Sequence, residues 1–215
     1  DALNRRGESA DVVRDGAGKI KVHYRVSRNP LVSIIIPTKD RWDMLRQCIK
    51  SVESVTRYPS YEIVVVDNGS RTAKAKEYLS TLSKKWIIHR FPGPFNFSEI
   101  NNYGASKANG EFLLFLNDDT QVIAPEWMSA MVAQAQRTGV GAVGAKLLYP
   151  SGMIQHAGVV LGIRGVAGHA FRHLRGDTQH YRALPHMLRN CSALTAACML
   201  VSRDVFRQVN GFDER

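Results

Sequence analysis

Apolar positions along this chain follow two periods that take turns. Apolar-rich runs occur at LVSIII (31–36), YEIVVV (61–66), WIIHR (86–90) and FLLFL (112–116); all four read as strands, with LVSIII and FLLFL buried. Between them apolar residues return every third or fourth position. RWDMLRQCIKSVES (41–54) puts Leu45, Cys48, Ile49 and Val52 on one helical face. TAKAKEYLSTL (72–82) and SEINNYGASKA (98–108) read as helices, the second with Ser98 as its N-cap, and a further helix runs from Pro125 to about Arg137 with Pro in its first turn. Strands alternating with helices predict an α/β fold, a three-layer sandwich around a mostly parallel sheet.

Beyond Gly139 the beat changes. AVGAKLLYPSGMIQHAGVVLG reads as extended segments around a Pro-Ser-Gly turn. A Gly/His/Arg-rich irregular stretch follows to about Asn190, then SALTAACMLVSRDVF, an apolar segment leading into a short helix. Residues 1–30 carry Gly16, Gly18 and many charges and end at Asn29-Pro30, the pattern of a linker or edge extension before a domain at 31–215. The start is polar throughout, so it shows no signal-peptide pattern; it also lacks an initiator Met, so the chain is expected to be a piece of something longer, or a processed or engineered form.

The 215 residues suffice for one ordinary domain, and no apolar run approaches the ~18 residues of a membrane span. Cys48, Cys191 and Cys198 have neither C-x-x-C spacing nor His partners at metal-site spacing; their apolar contexts predict buried thiols in a reducing compartment. The net charge of +10 admits two readings. It is a solvated basic surface, or it attracts sugar nucleotides, phosphorylated glycans or an acidic membrane face. No aromatic-interleaved basic helix accompanies it, so nucleic acid is not an expected partner.

The candidate chemistry sits at strand ends, where open α/β sheets bind ligands. The first strand ends in Pro37-Thr38-Lys39-Asp40-Arg41, the second in Asp67-Asn68-Gly69-Ser70, the fourth in Asn117-Asp118-Asp119-Thr120. Each alone is a turn; a parallel sheet would bring all three to one edge. There is no G-x-x-x-x-G-K-[ST], and no G-x-G-x-x-G follows the first strand. Adjacent carboxylates ending a buried strand either cap the next helix or hold a cation. Without a glycine-rich phosphate loop, a cation such as Mg²⁺ or Mn²⁺ that neutralises both them and a pyrophosphate is the preferred reading.

VSIIIPTKDR, YEIVVVDNGS, FLLFLNDDT and GFDE, in this order, resemble glycosyltransferase family 2, inverting enzymes of GT-A fold, over roughly residues 31–215. PFNFSEINNYGASKANGEF, VGAVGAKLLYPSGMIQHAGVVLG and SALTAACMLVSRDVF resemble the bacterial branch that builds O-antigens, rhamnans and other surface polysaccharides. The resemblance implies a UDP- or dTDP-sugar donor, a glycan or lipid-linked glycan acceptor, and hexosyl or rhamnosyl transfer. It places Pro37, Thr38, Asp40 and Asp67 around the nucleoside, Asn101–Asn102 near base and ribose, and Asn117, Asp118 and Asp119 at the D-x-D position. Asp119 is then the metal ligand, and Asn117 replaces the first Asp of the motif. Residues 31–120 would form the nucleotide-binding half and 121–215 an acceptor-side part.

His156 and His169 are structural, or His156 meets acceptor or phosphate. Thr195 lies near the donor sugar, within an apolar run that is otherwise core, and the phenylalanines of Phe95-Asn96-Phe97 are expected to plug the loop. The resemblance puts the general base in an acidic motif after GFDE, beyond Arg215, so no catalytic base is assigned and this stretch is expected to be incomplete and weakly active. Peripheral attachment at the cytoplasmic face of the inner membrane, and a homo-oligomer, are compatible with this reading. A non-catalytic nucleotide- or carbohydrate-binding module of a larger assembly protein is the alternative.

Overall fold

The structure, a computed structural model, describes residues 2–5, 7–14, 20–26, 28–179 and 181–215; Gly16 and Gly18 lie outside the described residues. The first thirty residues contribute a short helix α1 (Ala2–Arg5) and strands β1 (Ala10–Arg14) and β2 (Ile20–Tyr24), an antiparallel pair. Glu8 pairs with Arg137 at 3.2 Å, and the Arg137 guanidinium lies over the Tyr24 ring. These contacts tie the segment to the end of a later helix.

The body follows as β3 (Val32–Thr38), α2 (Trp42–Val55), β4 (Tyr61–Asp67), α3 (Ala73–Leu82), β5 (Ile87–Arg90), α4 (Phe97–Lys107), β6 (Phe112–Leu116) and α5 (Trp127–Ala135). Then come β7 (Ala142–Gly144), β8 (Leu147–Leu148), β9 (Ile154–His156), β10 (Val159–Leu161), β11 (Ala167–His169), β12 (Cys198–Ser202) and α6 (Arg203–Gln208). The central sheet has the order β5-β4-β3-β6-β12-β7. Its first four strands are parallel, and β12 runs antiparallel to both neighbours.

Successive side chains on a strand face opposite ways, so the apolar runs feed two cores. Ile34, Ile36, Val65, Leu114 and Leu116 pack with Leu45, Cys48, Ile49 and Val52 of α2 and Met128 of α5. Ile35, Val64, Val66, Leu113 and Phe115 pack with Ile100 of α4 on the other face, which α6 also covers. Gly104 lets α4 approach: a Cβ there would lie 2.6 Å from Ile35 Cγ2.

Several local expectations change. Helix α4 is capped by Asn96, whose side-chain oxygen accepts from the Ser98 and Glu99 N–H groups, rather than by Ser98. Asn96 wins because it sits one residue before the first helical turn, where an acceptor can reach the unpaired amides. Phe97 plugs as expected, packed on Phe212, but Phe95 is 70% exposed. Cys48 and Cys198 are buried while Cys191 is half-buried, and all three are free thiols. The Pro-Ser-Gly turn joins β8 to β9 as an antiparallel hairpin. Pro37 is tolerated in a central strand because the ladder to β6 ends at Ile35, before its missing N–H is needed.

Candidate functional site

Strands β4 and β5 are laid down on one side of β3, and β6 on the other, so the strand order reverses between β3 and β6. A crevice beyond the strand ends opens at such a reversal. Thr38 and Asp118 span it: the Thr38 hydroxyl donates to Asp118 Oδ2 at 2.8 Å. On the other flank Thr38 is the register partner of Asp67, and its carbonyl accepts from the Asn68 N–H.

A loop network then fixes the neighbours. Asp67 Oδ1 accepts from the Ser70 N–H at 2.8 Å, and Ser70 Oγ accepts from the Asp40 N–H at 2.9 Å. Asp40, at φ +58°, accepts the Arg71 and Thr72 N–H groups on its Oδ1 at 2.7 and 2.8 Å. These backbone bonds, that from Thr72 first, hold its carboxyl below the usual carboxylate range. Asp67 is buried, and its Oδ2 has no hydrogen-bond partner among the described residues. That oxygen is available to a ligand donor.

The adjacent carboxylates differ in setting. Asp118 is buried, and burial pushes its pKa up; the Thr38 bond and Arg41 oppose this, while Asp119 reinforces it. Asp119 is half out in solvent. Arg41 reaches both, 3.6 Å from Asp118 and 3.4 Å from Asp119, too long for tight ion pairs. Asn117 donates its N–H to Ala197 O at 3.1 Å, and its side-chain amide makes no hydrogen bond among the described residues. Among the described residues no three His, Cys, Asp or Glu groups converge. Asp118 and Asp119 offer carboxylate oxygens, the donor type that hard divalent cations take.

The remaining expected residues stand apart from this cluster. Asn102 Nδ2 donates to Phe212 O (2.9 Å) and Glu214 Oε1 (2.8 Å), and its Oδ1 accepts from the Phe212 N–H, so its amide is engaged by the turn after α6. Thr195 Oγ1 accepts from the Ala197 N–H at 3.3 Å, two residues from the carbonyl that meets Asn117. His156 is buried against His169, with their Nδ1 atoms 2.9 Å apart. Asp213 is bound to Arg215, and that pairing lowers its pKa.

Three residues of the site had no role assigned from sequence: Arg41, Ser70 and Asn68. Asn68 donates to Gly93 O while its Oδ1 is buried without a partner. Its place in an Asp-Asn-Gly-Ser strand end was a usable signal, whereas the Arg41 contact spans 78 residues and left none.

A three-layer α/β sandwich with polar strand ends meeting at its switch point is the architecture of the GT-A fold. The chain belongs to glycosyltransferase family 2: the sequence model described as Glycosyl transferase family 2 matches residues 33–209. It is 43% identical over 99% of its length to the O-antigen biosynthesis protein RfbC of Myxococcus xanthus. It is 44% identical over 97% of its length to the uncharacterized protein y4gI of Sinorhizobium fredii. The chain spans 17% and 23% of the lengths of these two relatives.

Among solved structures, a Pyrobaculum calidifontis mannosyltransferase, PcManGT, in complex with GDP-Man and Mn²⁺ matches with TM-score 0.62 and 17% identity, over 99% of this chain and 53% of that one. S. aureus TarS 1-349 matches with TM-score 0.55 and 16% identity, over 86% and 50%. Both share the fold. Among the described residues no helix is long and apolar enough to cross a membrane.

Proposed function

We propose that this domain transfers a sugar from a nucleoside-diphosphate donor, UDP- or dTDP-linked, to a growing surface polysaccharide or lipopolysaccharide glycan, with inversion at the anomeric carbon. The observation that carries the reading is the buried Asp118 carboxylate at the switch point, held by Thr38 and faced by Arg41 and Asp119. Burial disfavours the charged form of Asp118, and a cation placed beside Asp118 and Asp119 would favour it. The 43% identity to an O-antigen biosynthesis protein supports the acceptor class.

In this reading Asp67 Oδ2 accepts from the nucleobase, and Thr38, Asp40 and Pro37 shape the nucleoside pocket. Asn117 offers its free amide to the ribose. Asp119, with Asp118 behind it, would hold Mn²⁺ or Mg²⁺, which when bound supplies positive charge to the leaving diphosphate. Arg41 lies where it can share that charge. The acceptor hydroxyl attacks the anomeric carbon as a base takes its proton and the nucleoside diphosphate departs. Asp213 and Glu214 are engaged by Arg215 and Asn102, so the base is assigned to neither. Work at the cytoplasmic face of the inner membrane follows from the same reading.

Calorimetric titration with UDP, dTDP and GDP, each with and without Mn²⁺, tests it on the native chain and on Asp119→Ala. Metal-dependent binding of one nucleotide, lost in the variant, is expected. Metal-independent binding that survives Asp119→Ala, or no binding by the folded chain, would overturn it.

A further inference from the structure

A second cleft, of about 670 Å³, lies beside the β10–β11 hairpin, and His169, Arg172, Arg189 and Phe171 line it. The strand-end cluster shares none of these residues.

A hydrogen-bond circuit sets the chemistry of His169. The Gly158 N–H donates to His156 Nε2 at 3.2 Å, so that nitrogen carries no proton. Burial, with His169 and Arg189 nearby, pushes the His156 pKa down to about 4, so its ring is neutral at physiological pH. Its proton therefore sits on Nδ1 and is donated to His169 Nδ1, 2.9 Å away. His169 is left with Nε2–H as the donor pointing away from the pair. The bond to His156 occupies His169 Nδ1, so Nε2 is the ring atom of His169 left to meet a ligand.

The surroundings are cationic. Between Trp127 and Ser202 the sequence holds seven Lys and Arg residues and one acid, Asp177, and Arg175 binds that acid through two hydrogen bonds. Arg172 gives Nε and Nη2 to the Tyr149 hydroxyl at 2.9 and 2.7 Å, which leaves Nη1 for a ligand. Arg189 is anchored on Ala157 O and stacked over Phe171. Guanidinium groups immobilised in this way are suited to oxyanions.

Connectivity places the cleft next to the donor site. Val159, the register partner of His169, donates its N–H to Ala193 O. Four residues later Ala197 O accepts from Asn117. Four extended residues reach at most ~14 Å, a separation that a short glycan can bridge.

We propose that this cleft binds a phosphate or carboxylate group carried by the acceptor glycan, held by His169 Nε2–H, Arg172 and Arg189, with His156 as the positioning residue. The proposal rests on the acceptor reading above. It is tested by NMR of the histidine rings of the full chain in EDTA, titrated with glucose 6-phosphate, glucuronate, glucose and inorganic phosphate. Saturable shifts of His169 with an anionic sugar, absent with glucose, are expected, with affinity at least tenfold weaker in Arg172→Gln and His169→Phe. His156→Gln should weaken binding while leaving the charge of the cleft intact.

Unchanged UDP affinity in each variant, measured separately with Mn²⁺ and without EDTA, shows that the fold is kept. No saturable shift with either anionic sugar overturns the proposal. So does inorganic phosphate binding as tightly as glucose 6-phosphate. Loss of UDP binding in the native chain with sugar-phosphate binding intact would instead remove the transferase reading alone.

Discussion

Asp118 and His156 show opposite responses of a buried titratable group. The folded pKa of Asp118 is raised, so its charged form costs stability as pH rises above the ordinary carboxylate range. Asp118→Asn keeps an acceptor for Thr38 and removes that charge. It should raise the unfolding free energy of the nucleotide-free protein in urea melts by ~1 kcal/mol, while abolishing metal-dependent UDP binding. The folded pKa of His156 is depressed to about 4, so the unfolded chain takes up a proton that the folded chain refuses. Stability is complete above about pH 6.5 and falls as pH drops from there to about 4, by on the order of 3 kcal/mol. Urea melts across that window should be steeper in pH for the native chain than for His156→Gln; equal slopes would show that the ring is not buried neutral.

At the scale of elements, the turn after α6 acts as a latch. Asn210, at φ +59°, donates to Arg207 O, and Gly211 donates to Phe206 O, the paired bonds of a helix end closed by a left-handed residue. Phe212 then enters an aromatic cluster with Phe97, Phe115 and Phe206. Asn102 grips the Phe212 backbone at both N–H and C=O. Asn102→Ala should cost ~1–3 kcal/mol in chemical denaturation, with faster amide exchange confined to residues 211–214. The cap of α4 gives a paired test. Asn96→Ala should lose ~1 kcal/mol and Ser98→Ala much less. The reverse order would return the cap to Ser98.

At the scale of the whole molecule, the chain carries a net positive charge around the two proposed sites. The net charge is +10, and most of the acid lies outside residues 127–202. Nucleotide binding should weaken as salt rises, because long-range attraction is screened beyond a Debye length of ~8 Å at physiological ionic strength. Titrations of UDP across a salt series check this; affinity independent of salt would assign recognition to short-range contacts alone.

Strands, helices and their buried faces were readable because hydrophobic periodicity is a local property. The four parallel strands and the Leu45–Cys48–Ile49–Val52 face follow from residues within one segment. The three polar strand ends were readable for the same reason, since a parallel sheet carries successive strand ends to one edge. The antiparallel seat of β12 was not, because an apolar run such as CMLVS has no direction until it finds a partner. Arg41 between two carboxylates, Asn102 on Phe212 and the His156–His169 contact are likewise products of tertiary structure. Each depends on which distant backbone amide or carboxylate arrives within hydrogen-bond reach. The sequence by itself determined which segments are buried and where polar chemistry clusters. Register and packing decided which of those polar groups meet, and so which remain free for a ligand.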